Sequence, residues 1–360
     1  MEKLFQIGGA SFLNIVTQLI ESFFQLWSIN QSTTDDSQSL INSSLMNNIV
    51  TILEMIPFNS PLMINLAPMI LTQLMKDITE YPDNLTLTEQ IRIAGVFSHK
   101  VSPPLEVQFM FLTFILNLNT DPSLLSTNLV ILLCPLILSS INIIKNLGIL
   151  PQIMQLCNIL LQNEQDPETI TQGLIICSCL IQSENGIEFF PFVTTALQIL
   201  INKPKIIILF GVLYVLSAAF CVNFDDAITL INVEIVNLIC HMLREKDVVM
   251  SYREIKLAVF VLVKFANLGN NEAYEIAASL FRQLFEMEKL DKKIGVINGD
   301  NMLDLENLHR NENVISLAPY VLMPLDNIDE MKEFMQVTEK NGLLGTLENG
   351  INDIVNAFIQ

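Results

Sequence analysis

Four dipeptides constrain this chain more than any other feature: Ser60-Pro61, Ser102-Pro103, Asp121-Pro122 and Asp166-Pro167. In each, a side-chain oxygen able to accept an orphan amide hydrogen bond precedes a proline that has no amide to leave unpaired. That is the chemistry of a helix start. Glu168 adds a carboxylate to the turn after Asp166, where the helix dipole favours negative charge. Gly148, Gly186 and Gly269 mark helix ends, since each can adopt the left-handed cap conformation.

The spacing of the starts carries the next inference. Ser60 and Ser102 are 42 positions apart, and Asp121 and Asp166 are 45. Helix-pair repeats of the HEAT and armadillo type recur at about 40–47 residues. Helices are predicted at 9–28, 39–56, 61–79, 86–99, 103–118, 122–146, 149–163, 167–183, 187–202, 205–220, 225–244, 252–268 and 271–289. Most connections are short, which sets neighbours antiparallel. Strand-like alternation is scarce and hairpin dipeptides such as Asp-Gly are absent. In 167–183, Ile170, Leu174, Ile175, Cys177, Leu180 and Ile181 form a broad apolar side, with Thr171, Gln172, Ser178 and Gln182 nearer the opposite one. A helix this apolar needs neighbours to bury that side. The expected fold is therefore all-α, an α-solenoid of HEAT-like antiparallel helix pairs over residues 1–290. The polar stretch Ser32–Gln38 is a loop inside it. An acidic, Asn-rich loop follows over 291–327, and a terminal helix pair over 328–360 packs on the array.

Charge narrows the partners. Lys and Arg number 19 against 38 Asp and Glu, a formal net charge of −19. That balance repels a phosphate backbone, so no nucleic acid is expected and basic proteins fit better. Cys134, Cys157, Cys177, Cys179, Cys221 and Cys240 sit singly in apolar runs without framework spacing, as buried thiols in a reducing compartment do. Met1–Ala10 lacks the basic-then-apolar order of a secretory signal. Two stretches, Pro122–Ile144 and Ile206–Phe224, are uncharged over a length that could cross a bilayer. Elsewhere polar residues interrupt the apolar segments every three or four positions, which suits helices with one wet face. Buried core helices are the expectation and no membrane partner follows; a polytopic membrane protein is the lesser alternative.

Signatures of catalysis are missing. The chain has no Gly-x-x-x-x-Gly-Lys-Ser/Thr phosphate loop, no Gly-x-Gly-x-x-Gly fingerprint and no Gly-x-Ser-x-Gly elbow. His99, His241 and His309 are far apart in sequence and no Cys-x-x-Cys occurs, so no metal is expected. Cys177 and Cys179 would point about 200° apart around a helix. Asp225-Asp226 lies between two helices, where capping accounts for both acids. No enzyme activity and no cofactor are expected. The candidate binding residues are the acids of the late loop and the turn after it: Asp300, Asp304, Glu306, Glu312, Asp326, Asp329 and Glu330. Tethered anionic side chains of this kind attract basic proteins at long range, although plain solvation of an exposed connector is the weightier reading of the loop, and helix-start chemistry suffices for Asp326, Asp329 and Glu330.

From about residue 86 onward the chain resembles the carboxy-terminal part of importin-β-family nuclear transport receptors, most like the importin seven/importin eight branch. Four stretches carry the likeness in order. Thr88-Glu89-Gln90-Ile91 leads to Val101-Ser102-Pro103, and Gly186-Ile187-Glu188 is followed by Phe190-Pro191-Phe192-Val193. Glu254-Ile255-Lys256-Leu257-Ala258-Val259 opens a helix, and Pro324-Leu325-Asp326-Asn327-Ile328-Asp329-Glu330 precedes Asn349-Gly350-Ile351. The resemblance implies a HEAT-repeat superhelix that wraps basic import cargo, shuttles between cytoplasm and nucleus, and responds to the GTPase Ran. The family's Ran-binding repeats would precede Met1, so the expectation is a truncated receptor or a carboxy-terminal half, and Ran regulation does not carry over with equal force. The family's long Asp/Glu-rich loop would fall near Asp291–Ser316, where this chain has a shorter, diluted acidic stretch. A generic α-solenoid scaffold for another protein assembly is the alternative.

Overall fold

The computed structural model describes residues 36–56, 58–80, 86–118, 121–244 and 250–281, together with isolated helical positions between 15 and 26 and at 283. The described residues are all-α, without a strand, and form two compact units, Met1–Asn163 and Glu164–Gln360. Each unit stacks its helices in the manner of an α-solenoid.

In the first unit the helices are α1 (Asp36–Met55), α2 (Pro61–Glu80), α3 (Leu87–Lys100), α4 (Glu106–Leu116), α5 (Pro122–Asn146) and α6 (Leu150–Leu161). α3 packs against α1 and α5, while α2 packs against α4. α2 with α3 and α5 with α6 join across. Alternate helices thus fall into two layers, as a stack of helix pairs requires. Small residues allow the closest approaches. A Cβ at Gly95 of α3 would lie 2.5 Å from Ile131 Cγ2 and 3.1 Å from the Ile131 carbonyl carbon of α5.

In the second unit the helices are α7 (Pro167–Gln182), α8 (Pro191–Asn202), α9 (Ile206–Thr229), α10 (Val233–Arg244), α11 (Tyr252–Asn267) and α12 (271–281), with a 3-10 turn at Gly186–Phe189. α9 lies between α7 and α11, and α8 packs on α9 and α10. α7 and α9 run in one sense: a Cβ at Gly211 of α9 would lie 2.8 Å from Leu174 Cδ1 of α7, one turn on from the contact near the helix starts. The Thr171 hydroxyl near the start of α7 donates to the Ile207 carbonyl at the start of α9, at 2.9 Å. The Phe220 ring of α9 meets Phe265 of α11 edge-on, with centroids 6.1 Å apart.

Burial explains why one central helix in each unit sits where it does. In α5 every residue from Asn128 to Ile137 is buried, and in α7 every residue from Thr169 to Ile181. Each fully buried Leu or Ile stabilises by roughly 1.5–3 kcal/mol, against about 1 kcal/mol for a single hydroxyl bond such as that of Thr171. Apolar burial therefore decides the packing, and the hydrogen bonds set its register.

The caps follow the sequence closely at three of the four starts. Ser60 Oγ accepts from Leu62 N–H at 3.3 Å, Asp121 from Ser123 N–H at 3.0 Å, and Asp166 from Glu168 N–H at 2.9 Å and Thr169 N–H at 3.2 Å. Ser102-Pro103 differs: it lies in a bend, and the helix expected from 103 begins at Glu106. The Ser102 amide is engaged elsewhere, donating to Asn59 Oδ1 at 2.7 Å. The helix starts instead where Gln108 Oε1 accepts from Leu105 N–H at 2.6 Å. Gly148 and Gly269 take positive φ, 71° and 91°, as helix-ending glycines. At the third end the left-handed residue is Asn185, φ 66°, rather than Gly186. Gly186 is needed for closeness, because a Cβ there would collide with the Ile181 carbonyl. The helix expected over 187–202 is accordingly the 3-10 turn plus α8.

α9 runs beyond the expected end at 220. Its helix is interrupted at Asn223, φ −157° and ψ 96°. The Asn223 side chain restarts it, accepting from Asp226 N–H at 3.1 Å and donating to Asp226 Oδ2 at 2.7 Å. α10 then begins at Val233 rather than 225, with Asn232 Oδ1 accepting from Ile235 N–H at 2.9 Å. The acidic loop 291–327 and the terminal pair 328–360 lie outside the described residues.

Candidate functional site

Every acid singled out in the sequence, Asp300, Asp304, Glu306, Glu312, Asp326, Asp329 and Glu330, lies outside the described residues. Within them, one group of titratable side chains is one the sequence did not flag. It forms where the end of α1 and the turn after it meet the end of α3. Lys100 Nζ donates to the Glu54 carbonyl at 2.8 Å, near the negative end of the α1 dipole, and sits 4.3 Å from the centre of the Phe58 ring. His99 meets the same ring edge-on, with centroids 4.7 Å apart. Asn59, at φ 54°, donates its N–H to the Lys100 carbonyl at 2.8 Å. Arg92 approaches Glu54 at 3.6 Å.

The electrostatics follow from burial. Desolvation, with the neighbouring Lys100 charge, lowers the His99 pKa to about 4, so the ring is neutral at pH 7. Desolvation also lowers the Lys100 pKa, against the pull of Glu54. The group joins two helix pairs: a cation closes a helix end, and an asparagine in left-handed conformation ties the turn to it. Its groups face one another. A signal was present in the sequence, the His99-Lys100 pair in a last helical turn, but nothing local showed that Glu54 and Phe58 would meet it.

Other perturbed groups are dispersed. Asp77 of α2 is 4% exposed. Its pKa rises from 3.8 to about 6 through desolvation, opposed by the Gln73 amide that donates to it at 2.9 Å. Burial and the neighbouring Glu272 carboxylate push the Cys240 thiol up to about 11, the direction that leaves a cysteine inert. Cys221 is exposed and the other five cysteines are buried, so Cys177 and Cys179 do sit in the core of α7. Asp225 and Asp226 are exposed, with Asp226 in the Asn223 cap. Among the described residues, no three His, Cys, Asp or Glu side chains gather to hold a metal ion. The long apolar helices α5 and α9 are mostly buried within the protein, 78% and 67% over their most apolar windows.

Comparison with protein-family models, curated proteins and solved structures gave no match to this chain.

Proposed function

We propose that this chain is a protein-binding helical scaffold that acts as a nuclear transport receptor-like carrier, holding basic protein cargo for passage between cytoplasm and nucleus. The stacking of helices in two layers, in each unit, is the observation that supports a binding scaffold. Such stacks present long rows of side chains on rigid supports, with turns free to vary. The net charge of −19 favours basic partners over nucleic acid. The narrowing to nuclear import rests on the ordered sequence resemblance, which also brings Ran as a partner of the family. Burial of α5 and α9 favours core helices over membrane spans.

The test is capture by the immobilised full chain from nuclear extract, scored against a control protein of equal negative charge. Enrichment of basic nuclear proteins or transport factors over the control is the expected result. Equal capture by the control would reduce the interaction to bulk charge and end the transport reading. Release of the chain into the soluble fraction on carbonate extraction is the companion expectation, and retention in the pellet would favour a membrane protein.

A further inference from the structure

We infer that the last part of α9, residues 224–229, is a strap hinged at Asn223 and held closed by the charge of Lys264, so that its opening uncovers the Phe220 ring. This goes beyond the scaffold reading and does not depend on what the chain carries. A contrast within one helix is the starting point. Every residue of α9 from 211 to 220 is buried, whereas in 224–229 only Ala227 is. Between the two stretches Asn223 departs from helical geometry. The strap can therefore move without unwinding the buried part of the helix. Its shaping bonds are its own. The Asn223 side chain pairs with the Asp226 amide and carboxylate, and the Thr229 hydroxyl donates to the Asp226 carbonyl at 2.7 Å. These bonds hold the segment together whether or not it rests on its neighbours.

What ties the strap down is aromatic and cationic. The Phe224 ring lies against Phe220 with centroids 5.3 Å apart, and Phe220 meets Phe265 of α11. Lys264 of α11 places its Nζ 4.8 Å from the centre of the Phe260 ring and 5.8 Å from that of Phe224. One ammonium thus spans the strap and α11. Phe220 and Phe260 are buried, while Phe224 and Lys264 are half-buried. Opening the strap breaks the contact of Phe224 with the cation and with Phe220, and exposes Ala227. Cation–ring and ring–ring contacts are small beside the burial of a core helix. A segment with one buried residue opens well before the helices around it. The ring of Phe260 keeps Lys264 in place when the strap leaves, ready for its return.

Hydrogen exchange on the full chain, read by mass spectrometry peptide by peptide, tests the strap. Amides of 225–229 should exchange at least about a hundred-fold faster than those of 211–220. Lys264→Gln removes the charge and should speed exchange at 225–229 by about three- to ten-fold, with 211–220 unchanged. Lys264→Arg keeps a cation over the rings and should exchange like the parent. Phe224→Ala should speed the same amides at least as much as Lys264→Gln, again leaving 211–220 as they were. Uniform protection along α9 would overturn the inference. So would Lys264→Gln and Lys264→Arg that behave alike, since the charge would then hold nothing. A Lys264→Gln variant that lowers the urea midpoint and speeds both stretches together would also refute it, because Lys264 would be holding the whole unit rather than the strap.

Discussion

Gly95→Ala probes the contact between α3 and α5. Two effects oppose each other. Alanine is favoured over glycine inside a helix by about 1 kcal/mol, which would stabilise α3. The added methyl would stand 2.5 Å from Ile131 Cγ2, about 1 Å inside the optimal separation of carbon atoms. It would also stand 3.1 Å from the Ile131 carbonyl carbon, which belongs to the α5 backbone and has no rotamer to change. Overpacking a close-packed core costs about 1–3 kcal/mol. The overpacking term should win, leaving Gly95→Ala destabilised by about 1 kcal/mol or more. Ile131→Ala removes the Cγ2 atom and alone should cost about 2–5 kcal/mol. In that background the 2.5 Å clash is gone while the 3.1 Å contact with the backbone carbonyl carbon remains, so Gly95→Ala should cost clearly less than in the parent. The coupling should reach about 1 kcal/mol in a double-mutant cycle measured by urea unfolding. If Gly95→Ala stabilises the parent, or costs the same in both backgrounds, α3 and α5 do not meet as described.

Acidity offers a second test, because the buried Asp77 and the half-buried His99 titrate in opposite senses. The raised Asp77 pKa, from 3.8 to about 6, means the folded protein binds the extra proton between those values, so its contribution to stability falls as pH rises through that window. His99, lowered from 6.5 to about 4, works the other way, and its contribution rises with pH between about 4 and 6.5. Asp77→Asn should therefore leave stability climbing more steeply with pH over that range, by about 1–2 kcal/mol in all, and adding His99→Gln should flatten it again; parallel urea midpoints in the parent and Asp77→Asn would contradict the burial of Asp77. Thiol labelling tests the core: Cys221 alone should react with maleimide in the native protein, Cys221→Ser should abolish that label, and all six thiols should react in denaturant. Rapid native labelling at Cys177 or Cys179 would refute the packing of α7.

Local chemistry explains which elements were legible. Asp121 and Asp166 can reach their partners within three residues, so their helices begin where the sequence places them. Ser102-Pro103 has the same local signature, yet its amide is bound by Asn59, 43 positions away. The Asn223 interruption was hidden for a related reason. Asn and Asp caps inside a run of apolar residues look like loop residues until the run is known to continue on both sides. Asn185, not its glycine neighbour, adopts the left-handed turn because the neighbour is pressed against the Ile181 carbonyl.

The sequence by itself determined that this protein is helical, where most helices begin, and that it carries a net charge of −19. Those properties depend on caps, prolines, apolar period and net charge, all of which act within a turn of helix or over the whole chain. The tertiary structure alone decided which helices share a layer and that His99 and Lys100 would be desolvated against Phe58. Such outcomes depend on contacts between residues tens of positions apart, where packing of whole helix faces outweighs any local preference.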